Sequence, residues 1–203
     1  MSVEYILGLF ILFSTLVWTP GPNNALLASS GARFGFFRSL RHSLGVAIGF
    51  PLMMLIIALG LGRLFESFPI VREVLRFAGA AILLWIAWKI ATSEPSHDTS
   101  NTSKKPWSFA KAFAFQWVNP KAWIMSISVT GQLPELEPFW LPPLIGACIF
   151  AVAGQFSAHG WVLFGVGIEK FLSTRLRFRI FNYVMAGLIV MTVFGILFAD
   201  LSH

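Results

Sequence analysis

The stretch that decides the fold is WTPGPNNALL, residues 18–27, which lies inside one of the most apolar runs of the chain. Two prolines, a glycine and two asparagines occupy positions 20–24. A proline removes a backbone hydrogen-bond donor and interrupts a helix, and an amide side chain is costly to bury without partners. The stretch therefore predicts a helix that is broken at a polar point within a hydrocarbon segment.

The composition around this break is that of a membrane protein. Of the 203 residues, 56% are hydrophobic and 12% are charged, and the mean hydropathy is +0.73, whereas roughly a quarter of the residues in a globular chain are charged. Several runs approach or exceed the ~20 apolar residues that a helix needs to cross the hydrocarbon of a bilayer. We predict six spans, at Tyr5 to Ala32, His42 to Gly62, Pro69 to Ala91, Ala112 to Pro134, Pro138 to Ile168 and Ile180 to Ala199.

Two other interpretations of the apolar runs are disfavoured. A transmembrane barrel would alternate polar and apolar residues in segments of about ten, and these runs are continuously apolar. A secretory signal at the start would carry Lys or Arg before its apolar core, but the first basic residue is Arg33. We therefore expect an all-α integral membrane protein in which the first run is a span.

The distribution of positive charge predicts the orientation of the spans. Eleven Lys and Arg residues follow the first, third and fifth spans, three follow the second span, and Lys121 lies inside the fourth. By the positive-inside rule the eleven lie in the cytoplasm, so that both termini face the periplasm. The net charge of +6 is thus explained by topology, and no nucleic-acid partner is predicted. The eleven residues are Arg33, Arg38, Arg41, Lys89, Lys104, Lys105, Lys111, Lys170, Arg175, Arg177 and Arg179.

The chain divides into two halves that share a landmark. The polar segment 92–106 is rich in Ser, Thr, Pro and Lys, which predicts a solvated linker at 92–108 between three spans in 1–91 and three in 109–203. WVNPKAW, residues 117–123, breaks the fourth span near its middle, as TPGP breaks the first. Because each half has an odd number of spans, the halves cross the membrane in opposite directions. Such inverted repeats are typical of secondary transporters, whose sites form where the broken helices meet.

The residues at the two breaks predict a site for an anion. Pro22 and Pro120 suit the first position of a new half-helix, with Gly21 and Asn119 as caps. The N–H groups that follow would point into the break, where the positive end of a helix favours a carboxylate. The predicted substrate-binding residues are Pro20, Gly21, Pro22, Asn23, Asn24, Asn119, Pro120 and Lys121.

Each of these residues also has a purely structural interpretation. Prolines kink membrane helices for packing, with asparagine side chains satisfying the freed carbonyls, and Lys121 is also compatible with snorkelling to an interface. Gln155 and His159 share a helix face and form a candidate proton relay, but a hydrogen-bonded interior histidine fits the same pattern. Cys148 and His159 are about three helical turns apart, too far to share a metal ion, so no metal site is predicted.

Three motifs together resemble the LysE superfamily of amino-acid exporters, in particular its RhtB branch. They are TPGPNN at 19–24, WKIATS at 88–93 and WVNPKAW at 117–123. The overall pattern is similar to the cysteine and O-acetylserine exporters of that branch. The resemblance implies efflux of small amino acids across the bacterial inner membrane in exchange for protons. It also implies that the functional positions are Pro20, Gly21, Pro22, Asn23, Asn24, Asn119 and Pro120.

The residues alone predict a carrier for a small solute that bears a carboxylate, and the resemblance adds export and amino acid. The expected partners are that substrate, the bilayer and protons, with no cofactor. Gly45 and Gly49 form a small-xxx-small pair that permits a homodimer without requiring one. The alternatives are a channel, or an exporter of another small anion or of a metal ion. No enzyme is predicted, because no aspartate lies deep in a span and no HExxH helix is present.

Overall fold

The computed structural model describes residues 1–61, 68–93, 105–172 and 174–198, and these are helical apart from short connections such as 131–140. A π-helical stretch, Ile57–Leu61, extends the second helix, and short 3-10 helices occupy Gln116–Val118 and Lys170–Leu172. No strand occurs in these ranges, which confirms the all-α prediction. Most of the predicted linker, including Lys104, lies outside the described residues. So does Arg63, one of the three basic residues that follow the second predicted span. The helices are α1 (Val3–Trp18), α2 (Pro22–Ile56), α3 (Pro69–Ala91), α4 (Phe109–Phe115), α5 (Pro120–Thr130), α6 (Leu141–Glu169) and α7 (Arg175–Phe198).

Helix α2 is a hairpin of two helical arms. Gly35 has φ 74° and ψ 174°, a backbone conformation that glycine adopts without steric cost. The hydroxyl groups of Ser30 and Ser39 are 2.9 Å apart, although nine residues of straight helix would separate them by about 13 Å. The first arm (22–34) and the second arm (36–56) therefore run back along each other, with Gly35 at the turn.

Among the described residues, four helices are long and apolar enough to cross a membrane, namely Pro22–Leu61, Glu73–Ala91, Leu141–Glu169 and Arg175–Gly195. Helix α1 is apolar but shorter. The first of the four, Pro22–Leu61, turns back at Gly35 and is therefore not one straight helix. The count of six spans consequently remains a prediction, whereas a helical protein with several membrane-compatible segments is established.

The helices pack through close contacts at glycines. A Cβ atom added to Gly31 in the first arm of α2 would collide with the backbone of Val162 in α6, and one added to Gly165 in α6 would collide with the backbone of Ala28. The first arm and α6 therefore cross with their backbones in contact. Gly45, in the second arm, approaches α4 in the same way. The predicted close approach of helices at this glycine is thus made within the chain, and the homodimer remains a prediction.

Candidate functional site

The first break lies between α1 and α2, as predicted. Helix α1 ends at Trp18, and α2 begins at Pro22 with Gly21 as its N-cap and no side-chain cap. The Ala25 N–H bonds the Gly21 carbonyl at 2.9 Å. The backbone N–H groups of Asn23 and Asn24 form no hydrogen bond with any described residue. The N-terminus of α2 therefore presents two free donors at the positive end of a helix.

The second break has the predicted position and the predicted N-cap. A 3-10 helix ends at Val118, and α5 begins at Pro120 with Asn119 as its N-cap. The Asn119 side-chain oxygen accepts from the Lys121 N–H at 3.2 Å. This helix start is therefore partly closed by its own cap. Two helix ends were expected to accept an anion. Of these, the start of α2 is the one that remains open.

Lys121 and Asn24 satisfy the carbonyl groups that the first break leaves free. The Lys121 ammonium donates to the Thr19 carbonyl at 2.7 Å and to the Pro20 carbonyl at 3.1 Å. The Asn24 amide donates to the carbonyls of Val17 at 3.0 Å and Thr19 at 2.9 Å. A cation at the negative end of a helix is electrostatically favourable. Lys121 thus lies at the break itself, where it joins the second half of the chain to the end of α1.

A buried amide pair also connects the two breaks. The Asn23 amide donates to Gln116 Oε1 at 2.8 Å, and Gln116 Nε2 donates back to Asn23 Oδ1 at 3.3 Å. Gln116 Nε2 also donates to the Ala112 carbonyl at 2.8 Å. Both side chains are buried, and buried amides are stable only when they are paired in this way. The pair fixes the start of α2 against the residues that precede the second break.

Two small cavities adjoin these residues. One, of about 20 Å³, is lined by six of the eight predicted binding residues together with Phe50 and Met125. The other, of about 30 Å³, lies on the far side of Asn23 and Asn24 toward α6. A single water molecule needs roughly 10–15 Å³, so each cavity accommodates water but not an amino acid. The six residues are Gly21, Pro22, Asn23, Asn24, Asn119 and Lys121.

The remaining predicted residues lie around this centre. The Pro20 carbonyl is one of the acceptors for Lys121, and the Pro120 ring packs against Gly79 in α3. Gln155 and His159 line neither small cavity. His159 Nδ1 lies 2.8 Å from the Gln155 carbonyl and its ring lies beside Phe36. Their role as a proton relay remains a prediction.

Two polar residues of this centre, Gln116 and Ser157, were not predicted from the sequence. Gln116 lies one position before the WVNPKAW motif, and this position beside a break could have indicated its role. The Ser157 hydroxyl donates to the Val17 carbonyl at 2.8 Å and lines the second small cavity. Serine is common in apolar helices, so nothing in the sequence of α6 distinguishes Ser157 from other small residues.

A helical membrane protein with two opposed helix breaks and a polar centre between them has the architecture of a translocator. Residues 14–201 match the family model described as LysE type translocator. The chain therefore belongs to the LysE type translocator family.

The curated relatives carry a more specific name. The chain is 36% identical over 175 residues to the cysteine/O-acetylserine efflux protein of Escherichia coli O157:H7, an alignment that covers 85% of this chain and 87% of the relative. The proteins of the same name from Escherichia coli strain K12 and Shigella flexneri serotype 5b (strain 8401) are also 36% identical, over the same shares of each chain. No solved structure matches the chain.

Proposed function

We propose that the chain is a secondary active transporter of the bacterial inner membrane that exports small amino acids of the cysteine and O-acetylserine type in exchange for protons. The observation that carries the proposal is the open N-terminus of α2, whose two free N–H groups adjoin small cavities at the meeting point of the two breaks. Such a terminus binds a carboxylate. The names of the relatives supply the type of amino acid.

Helix packing supports an architecture of two inverted repeats with six spans. In that architecture, α1 and the first arm of α2 form one broken span, and α4 and α5 form its counterpart. The second arm of α2 packs against its counterpart α6, with 4.8 Å between the ring centroids of Phe50 and Phe150, and α3 packs against its counterpart α7. In these two pairs, corresponding helices of the two halves lie together. Pairing of this kind is expected when two repeats are related by a pseudo-twofold axis in the membrane plane.

The small size of both cavities requires a conformational change during transport. An amino acid reaches the N-terminus of α2 only when Lys121, Asn24 and their carbonyl partners separate, because these bonds close the centre. In the proposed cycle the carboxylate displaces water from the free N–H groups, and the halves then rock to expose the substrate to the periplasm. A returning proton resets the carrier.

Transport into inside-out vesicles tests this function. Vesicles that contain the protein, with labelled O-acetylserine outside and an acidic lumen, are expected to accumulate the label above vesicles without the protein, and a protonophore is expected to abolish the gain. Asn24→Ala removes a donor from the break and is expected to lower the initial rate by about tenfold or more, the effect of losing one buried hydrogen bond of 1.4 kcal/mol or more.

The matched control for Asn24→Ala is Thr15→Ala. Thr15 lies on α1 near the same break, but its side chain donates to the Ile11 carbonyl of its own helix, at 2.9 Å, and to no other described residue. This variant is expected to transport like the wild type. If no amino acid accumulates in wild-type vesicles, amino-acid export is wrong for this chain, whereas accumulation that ignores the pH gradient contradicts only the proton exchange.

A further inference from the structure

A much larger cavity lies at the other end of the first arm of α2, beside the turn at Gly35. Its volume is about 400 Å³, and it is enclosed by the first arm of α2, by α3 and by the segment that precedes α4. The residues with polar or charged groups on its wall are Ser29, Ser30, Arg33, His42, Lys89, Ser93 and Lys105. None of them belongs to the centre at the breaks.

The described wall of this cavity carries positive charge. Arg33, Lys89 and Lys105 line it, and no Asp or Glu of the described ranges does so. Among the residues that the structure describes, none of these three cations forms an ion pair. A concave surface with one sign of charge raises the local concentration of the opposite ion. The cavity is therefore suited to an anion.

Two buried polar atoms on the same wall lack partners. Ser29 Oγ and His42 Nδ1 form no hydrogen bond with any described residue. The His42 side chain is 2% exposed, and its ring packs against Trp107 with 5.5 Å between centroids. A buried polar atom without a partner is costly, so its presence indicates a ligand or water.

The Arg33 guanidinium is held in place and retains unused donors. Its Nη1 donates to Ser93 Oγ at 3.2 Å, and the Ser93 carbonyl accepts from Asn182 of α7 at 3.1 Å. A guanidinium has five N–H donors in a planar fork that matches a carboxylate. With one donor fixed on Ser93, the remaining donors are available to a bound anion.

An apolar barrier separates this cavity from the centre at the breaks. Leu27, Val46 and Ala158 belong to a buried cluster and line the small cavity beside Asn23. Trp107 packs against the same cluster and lines the large cavity. Side chains of this cluster therefore lie between the large cavity and the small cavity beside Asn23.

We propose that this cavity is a separate entry site that binds the carboxylate of the amino acid through Arg33, with Ser29 and His42 as further hydrogen-bonding groups, before the solute passes the Leu27 barrier. The inference rests on the proposed function for the identity of the solute. The basic residues around the cavity belong to the loops predicted to face the cytoplasm, which is the side from which an exporter takes its substrate.

Binding at this site is tested without transport by a thiol-protection experiment. In a Cys148→Ser background, Ser29→Cys introduces a thiol of similar size on the wall, and the purified protein in nanodiscs is treated with an anionic methanethiosulfonate reagent. O-acetylserine is the competing ligand, because the thiol of cysteine would itself react with the reagent. Saturating O-acetylserine is expected to slow labelling by about tenfold or more, whereas glycerol has no effect.

Two outcomes of the labelling experiment overturn the proposal. Labelling that O-acetylserine leaves unchanged shows that the solute does not bind here. Labelling that inorganic phosphate or anionic phospholipid slows, and O-acetylserine does not, assigns the cavity to a phosphate group instead. Neither outcome affects the proposed function, which the vesicle assay measures independently.

Transport kinetics give a second test with a matched control. Arg33→Gln is expected to raise the half-saturating concentration of O-acetylserine in inside-out vesicles by about tenfold or more, the effect of one charge-assisted hydrogen bond. Arg38→Gln removes the same charge from the same turn, but Arg38 is exposed and does not line the cavity. If Arg33→Gln and the wild type have the same half-saturating concentration of O-acetylserine, the entry site is wrong. Transport by both proteins still supports the proposed function.

Discussion

At the scale of single residues, the centre is defined by side chains that satisfy broken backbone. Proline and glycine at positions 20–22 end α1, and the freed carbonyls of Val17, Thr19 and Pro20 each accept a side-chain hydrogen bond. Most of these donors come from elsewhere in the chain, Lys121 from α5 and Ser157 from α6. The same bonds that stabilise the break therefore tie it to the second half.

The Lys121 bonds predict a measurable loss. Lys121→Met keeps a long apolar side chain but removes the Lys121 donor from the Pro20 carbonyl and leaves the Thr19 carbonyl with the Asn24 amide alone. We expect initial transport rates to fall at least about tenfold, because the unsatisfied Pro20 carbonyl costs about 1–3 kcal/mol, while the amount of protein in the membrane stays unchanged. Lys111→Met is the control, since that exposed ammonium stacks on the Trp107 ring at 4.3 Å and bonds neither break. Wild-type rates for Lys121→Met would contradict a role in the pathway.

At the scale of helices, glycines set the geometry of the centre. Gly35 lets α2 turn back, and Gly31 and Gly165 let its first arm touch the backbone of α6. This contact brings Ser157 of α6 within hydrogen-bonding distance of the end of α1. Asn23 and Asn24 begin the same arm, so the crossing also fixes the start of α2 relative to α6. The packing of these helices consequently also sets the geometry of the site.

The crossing predicts opposite outcomes for two glycines of α6. Gly165→Ala places a methyl group against the Ala28 carbonyl and is expected to destabilise the protein by about 1–3 kcal/mol through overpacking, seen as a lower apparent Tm in detergent. Gly167→Ala meets nothing within 4 Å and is expected to leave Tm unchanged or raise it, because alanine favours a helix over glycine. An equal Tm for both variants would show that the helices do not cross as described.

At the scale of the whole molecule, two halves are held together by polar contacts near the breaks. Lys121 with Thr19 and Asn23 with Gln116 both join residues about half the chain apart. Small cavities lie beside these contacts, and the larger basic cavity lies beyond the Leu27 barrier. In the proposed cycle this arrangement is a closed state. Alternation between the faces then requires the contacts between the halves to break and reform.

The predicted topology is testable with single cysteines in a Cys148→Ser background. Val3 and Phe37 have exposed side chains at opposite ends of the first broken span. If the basic loops face the cytoplasm, Val3→Cys reacts with an impermeant maleimide in intact cells whose outer membrane is permeabilised. Phe37→Cys then reacts only in inside-out vesicles. Labelling of both positions from the same side would contradict a first span that crosses the membrane, and with it the inverted repeat.

The sequence by itself determined the chemistry of the breaks and the class of the protein. Proline and glycine restrict the backbone locally, so the starts of α2 at Pro22 and of α5 at Pro120 followed from the two motifs. Apolar runs of sufficient length predicted the helices, and the motifs supported the resemblance that the family match later confirmed. These properties depend on neighbouring residues and on composition, which a single sequence displays.

Tertiary structure alone decided which polar groups are satisfied and which remain open. Gln116 pairs with Asn23, Lys121 donates to the Thr19 carbonyl, and Ser157 of α6 donates to the Val17 carbonyl. The same holds for the basic cavity, because Arg33, His42 and Lys89 come from three helical segments. The physical reason is that hydrogen bonds and cavities depend on distances between segments remote in sequence, and helix packing sets those distances.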